Sequence, residues 1–388
     1  MGEKMNEVVD EIKRVYQLEQ ERGERAVDLA DVPGSYDAIT PEWLTKVLCT
    51  ASPGAQVTDF ALDEADDGSS NRRRIFLTYN EAGNRAALPK SVFCKAAEKL
   101  SSRIVLGASG ASLTEANFYN KIRPNVHIEA PVPLYARFDP DTYAYFIMLE
   151  DLGGKVEFCD DRTDVTWQRA TSIVNLLAEL HATYYEHPDL GTSALPFPHW
   201  SQWWLNNINS FEFETFCERA VLDAEHVIPP RLFQRRAEIW PCTMKSAARH
   251  RELPVTLIHC DVHLKNWYVT PDNHMGLSDW QILSFGHWSR DFIYALTTAL
   301  TTENRRLWLD DLLRLYLDRM AEHGVPRVSF DEALNNCRQQ LFTALAFWTI
   351  TLRPATGMPD MQPERTTYKF IERLTNAIDD LNALDSFE

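Results

Sequence analysis

The balance of apolar periods shifts near residue 150, and that shift limits what this chain can fold into. Up to residue 150 short alternating runs dominate. Beyond residue 165 the spacing is almost wholly helical. Strand-like pieces lie at 57–62, 74–79 and 91–96, with Asp67-Gly68 and Gly83-Asn84 as turns between them, and the run over 143–149 reads as a buried strand. Helical spacing over 5–22 precedes them, as does a helix over 41–48 that opens Thr40-Pro41, a capping hydroxyl and a proline suited to the first turn. One more helix is expected over 113–122. Glu150-Asp151-Leu152-Gly153-Gly154 breaks the pattern and reads as a hinge. Helices then follow over 167–185, 307–320 and 334–352, interrupted by a hairpin with strands near 266–269 and 275–277. This order predicts an α+β molecule of two lobes, a small antiparallel sheet over 1–150 and a larger helical body over 151–388, with a ligand cleft.

Composition narrows the function. Hydrophobic residues make up 45% and charged residues 24% of 388, as in ordinary globular proteins. The formal net charge of -17 argues against general nucleic-acid binding, since an acidic chain repels polyphosphate. Seven cysteines at wide spacings, without a CxxC, argue against a disulfide framework and fit a reduced, cytoplasmic setting. No apolar signal core and no run of about 18 apolar residues is present, so no membrane partner is expected.

The chemistry concentrates in HCDVHLKN, residues 259–266. On a strand, His259, Asp261 and His263 share one face and form a candidate Zn²⁺ set for a metal-dependent hydrolase, with His287 or Asp291 nearby in sequence. On a loop, a different set emerges. Asn266 follows Asp261 by five residues and precedes Asp279 by 13. A hairpin between Asn266 and Asp279 folds back and returns both to one edge, where two oxygen ligands suit Mg²⁺. Asp261 is then left to accept a proton from a hydroxyl.

The second reading resembles the H-x-D-x-x-x-x-N catalytic loop and metal-binding Asp of the protein-kinase-like superfamily. IHCDVHLKNWYV, LSDWQ and GHWSRDFIYAL are most similar to its aminoglycoside phosphotransferase and choline kinase branch, among the ecdysteroid-kinase-like small-molecule kinases. The resemblance spans roughly 40–380 and is strongest over 255–296. It implies a protein-kinase-like fold, ATP and Mg²⁺ as cofactors, Asp261 as catalytic residue, and Asn266 and Asp279 as metal ligands. It further implies that Lys95 holds the nucleotide phosphates and that Glu115, 20 residues on, orients it. Gly68, Ser69 and Ser70 would cover the phosphates, and backbone groups at Met148, Glu150 and Asp151 would take the adenine. His259 and Asp291 would support the loop, His259 from beneath it and Asp291 by accepting backbone hydrogen bonds.

Several features depart from the family's pattern. Cys260 stands where the antibiotic kinases usually have Gly, the 67–71 turn has one Gly and no GxGxxG, and His263 stands where protein kinases have Lys, with Lys265 two residues on. Trp200, Trp203, Trp204 and Trp288 are candidates for an acceptor pocket, whose aromatic walls would suit an apolar, steroid-like alcohol or an amino alcohol. The expected partner is a small hydroxylated molecule. A nucleotide-binding pseudokinase is the alternative, with the metal-dependent hydrolase behind it.

Overall fold

In the computed structural model, which describes residues 2–210, 212–354 and 361–387, the chain divides into two compact units. The first comprises Met1–Pro124 and Pro131–Gly154, and the second Asn125–Ala130 and Lys155–Glu388.

The first unit opens with helices α1 (Gly2–Arg22) and α2 (Pro41–Leu48). Thr40 caps α2 by accepting from the Trp43 N–H at 3.0 Å. Strands β1 (Val57–Leu62), β2 (Asp66–Asp67) and β3 (Asn71–Tyr79) follow, then a short helix α3 (Glu81–Arg85) and strand β4 (Ser91–Ala96). Helices α4 (Leu100–Ser109) and α5 (Ala111–Asn117) precede β5 (Pro133–Phe138) and β6 (Tyr145–Glu150). All pairings in this sheet are antiparallel, in the order β1-β3-β4-β6-β5, with β2 on β3. Ile75, Leu77 and Tyr79 alternate inward along β3 while Phe76 and Thr78 face out, the half-buried pattern of an antiparallel strand. β6 lies between β4 and β5 and is buried over Tyr145–Leu149, which is why its sequence is a continuous apolar run. Trp43 of α2 anchors the core on one sheet face, edge-on to Tyr135 at 5.0 Å and to Phe146 at 5.5 Å.

The second unit holds β7 (Glu157–Phe158) and helices α6 (Trp167–Thr183), α7 (Trp200–Ser210), α8 (Phe213–Asp223), α9 (Pro230–Gln234) and α10 (Ile239–Arg249). Short strands β8 (Thr256–Ile258), β9 (Trp267–Val269), β10 (Met275–Leu277) and β11 (Ser284–Gly286) come next. The chain ends with α11 (Ser289–Ala299), α12 (Thr302–Glu322), α13 (Phe330–Leu352) and α14 (Glu364–Asp380). α13 is buried along most of its length and packs against α8, α10, α11 and α14, as expected of a helix apolar nearly all round. β9 pairs with β10 and β7, and β8 with β11. Gly276 lets the Tyr268 ring cross the hairpin: a Cβ there would lie 2.2 Å from the ring. The Tyr268 hydroxyl thereby reaches Glu129 Oε1 at 2.8 Å, and Leu277 N–H donates to the Glu129 carbonyl at 3.0 Å.

The α+β class read from the sequence is the one observed. Three local readings change. Gly83-Asn84 lies in α3, not in a turn, because Asn80 caps a helical turn by accepting from Gly83 N–H at 2.9 Å. The strand expected over 143–149 begins at Tyr145, since Tyr143 takes a left-handed turn with φ of 58°. β5 and α4 had no sequence signal assigned to them. All seven cysteines are buried and free, and no helix among the described residues is long and apolar enough to cross a membrane.

Candidate active site

Alternation along β4 decides where the candidate groups of the first unit stand. Val92, Cys94 and Ala96 point into the Trp43 core, so Lys95 points to the other face. There its Nζ meets Glu115 Oε1 of α5 at 2.7 Å. Lys95 is 6% exposed and Glu115 fully buried, so this is a desolvated ion pair. The Tyr145 hydroxyl of β6 donates to the other Glu115 oxygen, a partner the sequence reading did not name.

Gly68, Ser69 and Ser70 form the turn between β2 and β3, where Gly68 N–H donates to the Ser70 carbonyl at 3.0 Å. Asn71 Nδ2 donates to Asp67 Oδ1 at 2.7 Å and ties this turn to the sheet. Met148 is buried in β6 opposite Cys94 and Tyr135. Glu150 N–H is given to the Val132 carbonyl at 2.9 Å. The Asp151 carboxylate accepts from Arg74 Nε at 2.6 Å, Ser91 Oγ at 2.7 Å and Gly153 N–H at 2.9 Å.

In the second unit the candidate residues gather where β8 ends. The Asp291 carboxylate, inside α11, accepts from His259 N–H at 2.6 Å and Cys260 N–H at 3.0 Å. Those two bonds bend the chain sharply, and Cys260 takes the left-handed φ of 71°, a conformation that glycine adopts without cost. The Asp261 N–H donates to His259 Nδ1 at 3.1 Å, so His259 Nε2 carries the proton and donates to the Ser278 carbonyl at 3.0 Å. The His259 ring stands edge-on to Trp280 at 4.5 Å. Burial pushes the imidazole below its ordinary pKa against the pull of Asp291 and Asp261. Both ring nitrogens are therefore engaged, and the set His259, Asp261 and His263 is not a ready metal centre. No group of three or more His, Cys, Asp or Glu suited to a metal ion is found among the described residues.

Asn266 Nδ2 donates to the Asp261 carbonyl at 2.7 Å and approaches Asp261 Oδ2 at 3.3 Å. The Tyr294 hydroxyl of α11 donates to Asp261 Oδ1 at 3.3 Å and itself receives the Trp348 indole N–H at 2.9 Å. His263 Nε2 lies 3.5 Å from Asp261 Oδ2. Burial alone would raise the Asp261 pKa, but His263, His259 and Arg290 outweigh it and hold the carboxylate below its ordinary range. The hairpin returns Ser278, the residue before Asp279, to Asn266. Ser278 N–H and Oγ–H both donate to the Asn266 carbonyl, each at 2.9 Å, and Asp279, next along, takes a left-handed φ of 65°. Lys265 Nζ donates to Gln362 Oε1.

Trp200, Trp203 and Trp204 gather on α7, with Trp200 and Trp203 stacked at 5.2 Å and 11°. Trp288 does not join them. It packs on Tyr316 at 4.7 Å and beside His287. Two residues absent from the sequence reading complete the set: Tyr294 and Arg290. Both stand in the quoted GHWSRDFIYAL stretch, one helical turn apart.

A carboxylate loop followed by a returning hairpin is the arrangement that the resemblance to phosphotransferases implied. Residues 100–328, more than half of the chain, match the family model described as "Phosphotransferase enzyme family". The chain belongs to that family, APH. The matched stretch contains Glu115, Asp261, Asn266 and Asp279 but begins after Lys95. No curated protein matches the chain. Among solved structures it is similar to an ethanolamine kinase of Plasmodium vivax, at 11% identity and a TM-score of 0.46 over 82% of this chain and 81% of that one. It is also similar to the spectinomycin phosphotransferase APH(9)-Ia, at 13% identity and 0.47 over 89% and 97%. A macrolide 2'-phosphotransferase from Brachybacterium faecium is similar at 14% identity and 0.41 over 80% and 92%.

Proposed function

We propose that the chain transfers the γ-phosphoryl group of ATP to a hydroxyl of a small molecule. The observation that carries this reading is the pair of bonds from Ser278 to the Asn266 carbonyl, which holds Asp279 next in chain to a residue 12 positions from Asn266. Asn266 directs its amide N–H to Asp261, and the Asn266 side-chain oxygen and the Asp279 carboxylate are both hard donors of the kind Mg²⁺ takes. When bound, Mg²⁺ neutralises phosphate charge.

The chain's own groups do the rest. Lys95, oriented by Glu115, binds phosphate oxygens. Asp261, kept ionised and fixed by Tyr294 and Asn266, orients the acceptor hydroxyl and takes its proton. A new bond forms between the hydroxyl oxygen and the γ-phosphorus. The bond to the β,γ-bridging oxygen breaks, and its electron pair leaves with ADP. The domain reading belongs to the same proposal: 1–150 serves the nucleotide, and 151–388 carries the catalytic loop and the acceptor.

An ATP-consumption screen across alcohols, amino alcohols, sterols and aminoglycosides tests the class. With an acceptor found, Asp261→Asn should lower turnover at least about 10³-fold while MgATP still binds. Asp279→Ala should lose Mg²⁺-dependent nucleotide binding. Turnover retained in the first variant, or unchanged MgATP affinity in the second, would remove the assignment.

A further inference from the structure

Arg290 is fully buried, yet its Nε and both Nη atoms have no hydrogen-bond partner among the described residues. Its guanidinium lies 4.0 Å from the Trp200 ring centroid, 5.2 Å from Phe347 and 5.5 Å from Tyr294. Aromatic faces attract the charge but accept none of its N–H bonds in the way a carboxylate does. Two more buried donors beside it are also unpartnered, the indole N–H groups of Trp200 and Trp204, whose rings are 5.8 Å apart. Every orphan in this cluster is a donor. A group of matching chemistry must bring acceptors, and a planar carboxylate offers two to a guanidinium fork.

Position ties the cluster to the reaction. Arg290 immediately precedes Asp291, which pins the catalytic loop, and stands one turn before Tyr294, which bonds Asp261. The cluster's outer side is formed by Trp203 and Phe347, both only partly buried. An aromatic box of this kind would suit a ligand cation, but here the protein's own cation already occupies it, so a cationic head group would meet like charge.

We propose that the acceptor is an apolar hydroxy acid, its carboxylate received by Arg290 with the Trp200 and Trp204 indoles, and its hydroxyl presented to Asp261. This rests on the reading of Asp261 as the group that orients the acceptor. Because the guanidinium has no exposed surface, the carboxylate enters by displacing Trp203 or Phe347.

The test uses the full chain and three matched probes: 4-(hydroxymethyl)benzoate, its primary amide, and 4-(hydroxymethyl)benzylamine. Binding is read by tryptophan fluorescence without nucleotide, and turnover by ATP consumption. The acid should bind at least about tenfold tighter than the amide and the amine, as a charged hydrogen-bonded partner requires. Arg290→Met should bring the acid-to-amide ratio to about one. Should that variant misfold by near-UV circular dichroism, Trp204→Phe serves instead, and should weaken the acid while leaving the amide unchanged. Equal affinity of acid and amide, or a preference that survives the Arg290 change, overturns the carboxylate site. Tight acid binding without ATP consumption keeps that site and removes phosphoryl transfer to this class of acceptor. ATP consumption with the amine alone does the reverse.

Discussion

Position 260 shows how a single residue identity interacts with the site. A left-handed φ costs a non-glycine residue on the order of 1–3 kcal/mol, and Cys260 bears it with a fully buried side chain. Replacing it by glycine relieves the strain but empties a packed position, two effects of similar size. Cys260→Gly should therefore change stability by less than about 1 kcal/mol, whereas the β-branched Cys260→Val should destabilise by more than about 2 kcal/mol. Urea unfolding of the two variants checks both. At this scale the sequence was readable through spacing: Asp261, Asn266 and Asp279 stand out by it, and the structure bonds Asn266 to Asp261 and to Ser278, the residue before Asp279. Arg290 was not readable. In sequence it is one arginine among many, and only burial without a hydrogen-bond partner sets it apart.

Helix α11 is the element on which the loop depends. All its residues from Ser289 to Ala299 are buried, and Asp291 uses both oxygens on two consecutive loop N–H groups. The buried His181, bonded to Tyr316 at 2.7 Å, approaches the same carboxylate at 3.4 Å. Asp291→Asn would turn a donor toward N–H groups that need acceptors. A loss of about 2–4 kcal/mol in chemical unfolding is expected, with a lower kcat as the loop loosens. A variant as stable as the parent would show that the loop holds itself. Elements were legible where one periodicity ran unbroken. β1 and β4 begin and end where alternation does, and α2 where its cap and proline place it. β5 was not, because Pro133 opens it and Arg137 interrupts its apolar residues. α4 was not either, with serines and Gly107 diluting its pattern.

For the molecule as a whole, buried imidazoles set the response to acid. Burial pushes His287 down to about 3, and it pushes His250 and His259 below the ordinary value as well. A base whose folded pKa is depressed binds more protons when unfolded, so stability is full above about pH 6.5 and falls as pH drops toward the folded value. His287 alone should lose about 2 kcal/mol by pH 5. Asp261 and Asp291, both lowered, add losses of the same sign at still lower pH. Urea midpoints at pH 7 and pH 5 should differ clearly in the parent and less in His287→Gln. Fold class and family were visible from the order of periodicities and three motifs, because both are written in local spacing. The Arg290 cluster proposed for the acceptor was not, since side chains from α7, α11 and α13 meet there only after folding. That division of labour has an evolutionary consequence. The residues proposed for phosphate chemistry hang on β8, the hairpin and α11, while the cover over Arg290 comes from α7 and α13. A change at Trp203 or Phe347 would alter the cover over Arg290 and leave the residues proposed for phosphate chemistry in place, so under this proposal acceptor choice and reaction chemistry are free to evolve separately.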